Sequence, residues 1–544
     1  MPTHADLVIR ASIIYTLEDG YPPQRALAVR DGIIHRLSVD RNGLDHLIGP
    51  KTTVIDQADG VVLPSFDDTH THLIYAGLGQ FDVPVHTARD LSELLGLIRQ
   101  RALVTKPGDW ISTTTNWQEF NIREQRLPTL KELDEVSRIH PIIVRRGGHN
   151  LVLNSCAMQR AGITADTQVP PGGKIGKDEH GQLNGLLQDS AVVLIDGAQP
   201  SPNKDKLIAG LDGASASYAA RGIGCVRDCC VSLEDLAALK ATHDAGKLHV
   251  RVRALITAIG FSDVSRVVQL LTEMEKWRFL QHDPWLSVWG VKFMIDGGIE
   301  AAATDETYQK TCDCASQAGY RGRLLWDPEK LVEAMDAVVR RGWKIGTHAY
   351  GDRAIRTLLD VYERVLKRHP NLAPGTLVME HGGLATPALR ERAVSLGIPV
   401  TIQHPLLHDV AGIQEVYWGP QRVSHVFPVR EWLDLGALVS AGSDFPVGAY
   451  GAMHSVWGMT TRQTVVGVKG PEHAISVRES IALHTTLAAR TLQESDVRGS
   501  LKPGRYADMT IWHFDPFKIG DIHELRDVSP LYTIIGGKIS HPYV

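Results

Sequence analysis

Val61–Leu73 reads V-V-L-P-S-F-D-D-T-H-T-H-L, and the rest of the chain can be read outward from it. A short apolar run passes through Pro64 and Asp67-Asp68 and ends at His70 and His72. Residues two apart in an extended strand point to the same side, so both imidazoles project together from one strand end. Paired imidazoles are natural ligands for a divalent metal. An isolated H-x-H is more often an ordinary polar strand end. The metal reading therefore depends on further ligands elsewhere in the chain, arriving in a definite order.

Beyond this stretch the middle of the chain alternates strand-like and helix-like segments, the signature of parallel β/α architecture. Val61–His70 opens the series. Gly224–Arg227, Val250–Thr257, Trp285–Ile295, Trp343–His348, Thr376–Glu380, Ile398–Gln403 and Ala437–Ala441 continue it. Helical patterns lie between them: Leu331, Ala334, Met335 and Val338 repeat at helical spacing within Pro328–Arg341, and Ile355, Leu358, Leu359 and Tyr362 within Arg353–Leu366. Eight strands with intervening helices predict a (β/α)8 TIM-type barrel, an α/β fold. Residues 74–205 are too long for an ordinary connection and are expected to form an insertion over the barrel mouth. It contains strand-like Trp110–Thr115 and Pro141–Arg146 and the loop-rich Pro170–Gly185.

Both ends of the chain are β-rich. Leu7–Leu17 and Leu27–Leu37 are dense in Val, Ile and Leu, with Asp31-Gly32 as a hairpin turn and Thr52–Ile55 as a further strand. Met509–Trp512 and Thr533–Ile539, the latter with Gly536-Gly537 as a turn, have the same texture. Neither end has enough apolar surface to stand alone, so the two are expected to pair into one small β-sandwich domain. The predicted division is residues 1–60 and 496–544 for that domain and 61–495 for the barrel.

Several function classes are excluded or disfavoured. A net charge of −5 over 544 residues gives no electrostatic reason to expect nucleic-acid binding. No uninterrupted apolar segment is long enough for a bilayer, and no signal core follows the N-terminus, so a soluble, cytoplasmic protein is expected. Six cysteines in so long a chain make no disulfide framework. Cys312-Asp-Cys314 lacks a second thiol pair at zinc-site spacing, and Cys229-Cys230 read as small packing residues. G-x-S-x-G, G-x-G-x-x-G, the P-loop motif and H-E-x-x-H are all missing from the sequence.

Barrel enzymes build their sites at the C-terminal ends of strands. His70 and His72 end the first expected strand, and Lys292 lies in the otherwise apolar fourth. His348, His381 and Asp444 end the fifth, sixth and eighth. Each has an ordinary structural alternative: Lys292 could pair with Asp296, and Asp444 could cap a helix. Their joint appearance at strand ends is what selects the metal reading. A buried lysine has a lowered pKa, and its neutral amine can react.

The pattern resembles the amidohydrolase superfamily, and within it the amidohydrolase family 3 branch that includes N-substituted formamide deformylases. The likeness is carried by V-V-L-P-S-F-D-D-T-H-T-H and by R-G-G-H-N with L-N-S at Arg146–Asn150 and Leu153–Ser155. V-K-F-M-I-D-G, T-H-A-Y-G-D-R-A, M-E-H and A-G-S-D-F-P-V follow in family order. G-S-L-K-P-G-R-Y-A-D-M-T-I-W at Gly499–Trp512 resembles the return into the β domain. Ser65 stands where the family has glycine, Asp67 where it has an apolar residue, and Gln188 where many relatives carry Glu.

The resemblance implies that His70, His72 and Asp444 hold one divalent ion and His348 and His381 a second. Lys292, carboxylated by carbon dioxide to a carbamate, would bridge them. Some superfamily members use one ion rather than two. Zinc is the default for so nitrogen-rich a set, with manganese, iron and cobalt also compatible. Asp444 would act as general acid and base. Trp117, His149 and Gln403 are candidate substrate-binding residues, with packing as the alternative for Trp117, loop anchoring for His149, and His404 beside Gln403 also considered. The implied activity is hydrolysis of a non-peptide C–N bond in a small-molecule linear amide, formamide or carbamate. Ester or lactone hydrolysis on the same site is the neighbouring alternative, and a non-catalytic binding protein a further one. A homodimer is left open.

Overall fold

The computed structural model describes residues 4–147, 150–170, 173–195, 197–200, 202–310 and 319–542. Eight parallel strands form one sheet: β1 (Phe66–Thr71), β2 (Ile223–Val231), β3 (Arg251–Thr257), β4 (Leu286–Met294), β5 (Lys344–Ala349), β6 (Leu377–His381), β7 (Val400–Ile402) and β8 (Val439–Ala441). Each pairs with its neighbour in chain order from β1 to β8. The ring is drawn together between β8 and β1 by individual hydrogen bonds. Thr69 Oγ1 donates to Ala441 O at 2.9 Å, and the Asp444 amide to His70 O at 2.8 Å. All eight expected barrel segments are present.

Helices cover the outside of the ring, and their apolar stripes meet the outward faces of the strands. Pro328–Arg340 buries Leu331, Ala334, Met335 and Val338, and Asp352–Arg368 buries Ile355, Leu358, Leu359 and Tyr362. Asp327 caps the first of these, accepting from the Glu329 and Lys330 amides, with Pro328 at its first position.

The first expected strand divides in two. Val61–Pro64 ends the long strand Thr53–Pro64, which pairs with Leu7–Ile14 and Met509–Trp512. The barrel strand starts only at Phe66, after Ser65. One extended stretch, Val61–Thr71, thus serves two sheets, with Ser65 between them. Strands from both chain ends share a seven-stranded sheet, so the ends do pair. Its hairpins turn where expected: Asp31 and Gly32 have φ of 52° and 75°, and Gly536 and Gly537 56° and 73°.

Residues 74–205 carry their own five-stranded sheet. The loop-rich reading of Pro170–Gly185 is corrected. Gly173–Lys177 and Leu183–Asp189 pair as an antiparallel hairpin whose many polar and glycine residues hide the strand pattern. Fully buried Arg146 of this sheet pairs with Glu119 of the insertion and with Glu300, in the loop beyond β4. The insertion is therefore tied to the end of the barrel where the candidate site lies.

In β4 the register slips by one residue: Ala254 of β3 pairs with Val288, but Leu255 pairs with Gly290. Strict alternation from Val288, which packs outward, would turn Lys292 outward as well. The extra residue at 290 restores the opposite parity. Val291 and Phe293 pack in the outer core, while Trp289 packs inside the ring with Cys225, Cys229 and Leu492. Only glycine fits at the slip, because a Cβ on Gly290 would lie 2.2 Å from Lys344 O.

Candidate metal centre

The residues at the strand ends converge. His70, His381 and Asp444, all buried, offer ligand atoms within 4.8 Å of one another. Asp444 Oδ1 lies 3.0 Å from His72 Nε2 and 3.5 Å from His70 Nε2. The His348 and His381 ring centres are 4.5 Å apart, and those of His70 and His381 4.6 Å. Lys292 is buried, and a positive charge on it bears on both His70 and His381. The structure thus gathers all six residues of the expected set into one region.

Three of the four imidazoles are held by an oxygen on one ring nitrogen. His70 Nδ1 donates to Glu380 Oε2 at 2.7 Å, leaving Nε2 toward Asp444. His381 Nδ1 donates to Gln403 Oε1 at 2.7 Å. The amide of Gln403 donates in turn to Thr401 Oγ1 at 3.1 Å, which fixes the oxygen as the acceptor. His348 Nε2 lies 3.1 Å from Gly297 O. Oxygen partners on the outer nitrogens are the usual support of metal-bound histidines. Burial, with the charges of nearby cationic groups, pushes the His70 and His381 pKa values well below the ordinary imidazole value. Both are neutral at neutral pH, the state that ligates. The donor set fits divalent ions, and His72 Nδ1 is buried without a hydrogen bond.

The backbone is bent to make this set. His381 and Asp444 have φ of 73° and 56°, a left-handed conformation unusual outside glycine. Around Asp444 it is held by the amide bond to His70 O and by Asp68, which accepts from the Ser443 amide at 2.9 Å and its hydroxyl at 2.5 Å. Burial raises the Asp68 carboxyl to about 7 despite these bonds. Asp296 accepts the Tyr350, Gly351 and Ala303 amides and so ties the loop beyond β4 to the end of β5. Burial raises it to about 7 as well.

Behind the histidines lies a polar layer that sequence reading missed. Glu380 accepts from His70, from Thr401 Oγ1 at 2.6 Å, and from Arg227 Nη2 at 2.6 and 2.7 Å. Arg227 also donates to Thr69 O and lies over the Trp289 ring. The available signal was the acidic residue directly before His381 and the Arg227-Asp228 pair within a strand of otherwise apolar and small residues. Deeper still, Asp67 is bracketed by Arg498 at 2.6 Å to both oxygens, so this departure from the family pattern has a partner.

The substrate candidates fare differently. Gln403 orients His381. Trp117 packs in the core of the insertion and donates its indole N–H to Arg145 O at 2.6 Å. His149 lies outside the described residues, as do Cys312 and Cys314.

A parallel barrel with histidines and an aspartate gathered at the C-terminal ends of its strands has its candidate site where barrel enzymes build theirs. Residues 53–541 match the model of the amidohydrolase family, and the chain belongs to that family. It is a hydrolase of C–N bonds other than peptide bonds. It is 27% identical to an N-substituted formamide deformylase from Arthrobacter pascens, over 90% of each chain. Likewise it is 27% identical to Protein LONG AFTER FAR-RED 3 of Arabidopsis thaliana, over 99% of this chain and 92% of the other. Among solved structures, an uncharacterized metal-dependent hydrolase from Pyrococcus horikoshii OT3 superposes with a TM-score of 0.75. That match has 20% identity and covers 94% of this chain and 98% of the other.

Proposed function

We propose that this protein is a metal-dependent hydrolase of small-molecule linear amides, N-substituted formamides or carbamates, with Asp444 as the proton shuttle. The observation that carries the reading is the meeting of Asp444, beyond β8, with His70 and His72 at the end of β1 and His381 at the end of β6, in a barrel of this family. The deformylase relative supports the substrate class.

His70, His72 and Asp444 would hold one ion and His348 and His381 a second, with Lys292 bridging as a carbamate; zinc is the default. Such ions supply a water acidic enough to ionise near neutral pH and polarise the substrate carbonyl. Asp444 accepts the proton of the attacking water as its oxygen adds to the carbonyl carbon. The C–N bond then breaks, and Asp444 returns the proton to the departing nitrogen. Glu380 and Gln403 keep Nε2 of His70 and His381 facing inward throughout. The insertion at 74–205, anchored by Arg146 on Glu300, would cover the mouth and narrow the range of substrates.

The test is a panel of N-formyl, N-acyl, carbamate, ester and lactone compounds, run before and after chelation. Turnover of one of the C–N classes that disappears with the metal and returns with added zinc is expected. Full activity in protein shown metal-free by elemental analysis would sink the mechanism, and turnover confined to esters or lactones would replace the substrate class.

A further inference from the structure

Away from the barrel mouth, His425, Glu472 and His473 bring three ligand atoms within 4.8 Å of one another. His425 follows the short helix Pro420–Ser424 in the connection between β7 and β8. Glu472 and His473 lie in the turn Pro471–His473, beyond β8 and the helix Ala452–Thr461. None of the three was singled out in the sequence, and they belong to different elements from those of the candidate metal centre.

His473 is the informative member. It is only 2% exposed, yet neither ring nitrogen makes a hydrogen bond. Its Nδ1 lies 3.3 Å from Glu431 Oε1 and its Nε2 3.7 Å from Glu472 Oε1. Bonds of about 2.0–2.1 Å in a tetrahedral zinc site put ligand atoms roughly 3.3 Å apart, so Nε2 and Glu472 Oε1 need approach by only about 0.4 Å to share an ion. His425 shows the same orientation of its ring. Its Nδ1 faces Gln421 O at 3.0 Å and Ser424 Oγ at 3.1 Å, which leaves Nε2 as the donor atom. An imidazole backed by an oxygen on its outer nitrogen is the arrangement found around bound metals. The two rings sit 5.4 Å apart, centre to centre.

The frame beneath is rigid. Fully buried Arg462 donates to Lys469 O, Phe427 O, Ser424 O and Val426 O, binding the segment that bears His425 to the one that leads to Glu472 and His473. Gly470 permits the close approach: it has φ of 55°, and a Cβ there would lie 2.0 Å from Ser424 O. The nearby arginines are already engaged, Arg462 by carbonyls and Arg390 by Ala385 O and Glu431. Their charges do not exclude a cation beside two carboxylates.

We propose that His425, Glu472 and His473 form a second, peripheral site for a divalent transition ion of the zinc type, with Glu431 behind His473. Two histidines and one glutamate are a known zinc ligand set, with the fourth position left to water. The ion would clasp the β7–β8 connection to the segment beyond β8, a stabilising rather than a catalytic part. This inference does not depend on the proposed reaction.

The test uses full-length protein dialysed against buffered free zinc, followed by metal analysis and thermal unfolding with and without zinc. His425→Ala and Glu472→Ala change exposed side chains and spare the buried imidazole. Wild type should hold one more zinc per chain than either variant, and the zinc-dependent rise in melting midpoint should shrink in both. Loss of a ligand should weaken this site by about 100-fold or more, beyond the 10–100-fold typical of supporting partners. Equal zinc content and equal midpoint shifts in all three proteins would overturn the site, whatever the panel of substrates shows.

Discussion

Glu380 receives the Nδ1 proton of His70 at 2.7 Å from inside the barrel, and the same carboxylate is the counter-ion of fully buried Arg227. One side chain thus joins the orientation of a candidate ligand to the balance of charge in the core. Glu380→Gln should therefore fail twice. Leaving Arg227 unpaired should cost about 3–5 kcal/mol of stability, read from urea unfolding. Loss of the support behind His70 should lower metal affinity about 10–100-fold, read by dialysis. A variant unchanged in both would show that this contact neither orients nor stabilises.

Asp444→Asn tests the shuttle. Asparagine tolerates the left-handed backbone at this position and nearly matches the size of aspartate, so the fold should survive. It cannot take up a proton, and amide turnover should fall by roughly 10²–10⁴, mainly in kcat. Esters with good leaving groups, which need little protonation to depart, should suffer less. Near-normal amide hydrolysis by a variant that keeps its metal would remove Asp444 from the chemistry.

His484 sets an acid limit on stability. It is buried between Asp67 O and Ser455 Oγ, each at 2.9 Å, and burial lowers its pKa from 6.5 to about 4. Between those values the unfolded chain binds more protons than the folded one. Its contribution is therefore complete above pH 6.5 and drains away as the pH falls toward 4, by about 1.4 kcal/mol per unit. Unfolding free energies measured across this window should fall less steeply in His484→Gln than in wild type. Parallel slopes would assign the acid sensitivity elsewhere.

Trp117→Ala separates packing from substrate contact. The indole is buried in the core of the insertion, so its removal should cost about 3–5 kcal/mol locally and hasten proteolysis within residues 74–205. Metal content should stay at the wild-type level, because the candidate ligands lie on the barrel. Preference among amide substrates should shift if the insertion shapes access. Kinetics identical to wild type on several substrates would confine Trp117 to packing.

Much of this was legible in the sequence because it depends on local pattern. Runs of Val, Ile and Leu separated by helical stripes gave eight strands in order, and Asp31-Gly32 and Gly536-Gly537 marked hairpins that only left-handed turns can close. His70, His72, His348, His381 and Asp444 were visible because a polar residue at a strand end interrupts an apolar run. The hairpin within 173–189 was hidden, since lysine, glycine and asparagine within half-buried strands look like loop. The division at Ser65 was hidden too, because the extended chain runs from one strand into the next with only a single residue between them.

The sequence by itself determined the alternation of strands and helices and the residue types at each strand end, since both are written in period and composition. Only the tertiary structure decided how those residues are presented. The slip at Gly290 turns Lys292 into the barrel, a matter of β4 finding its register between β3 and β5. Glu380, Arg227 and Gln403 meet the histidines across strands distant in the chain. Their roles come from geometry in a buried, weakly screened interior, where each polar atom must find a partner that no local sequence window contains.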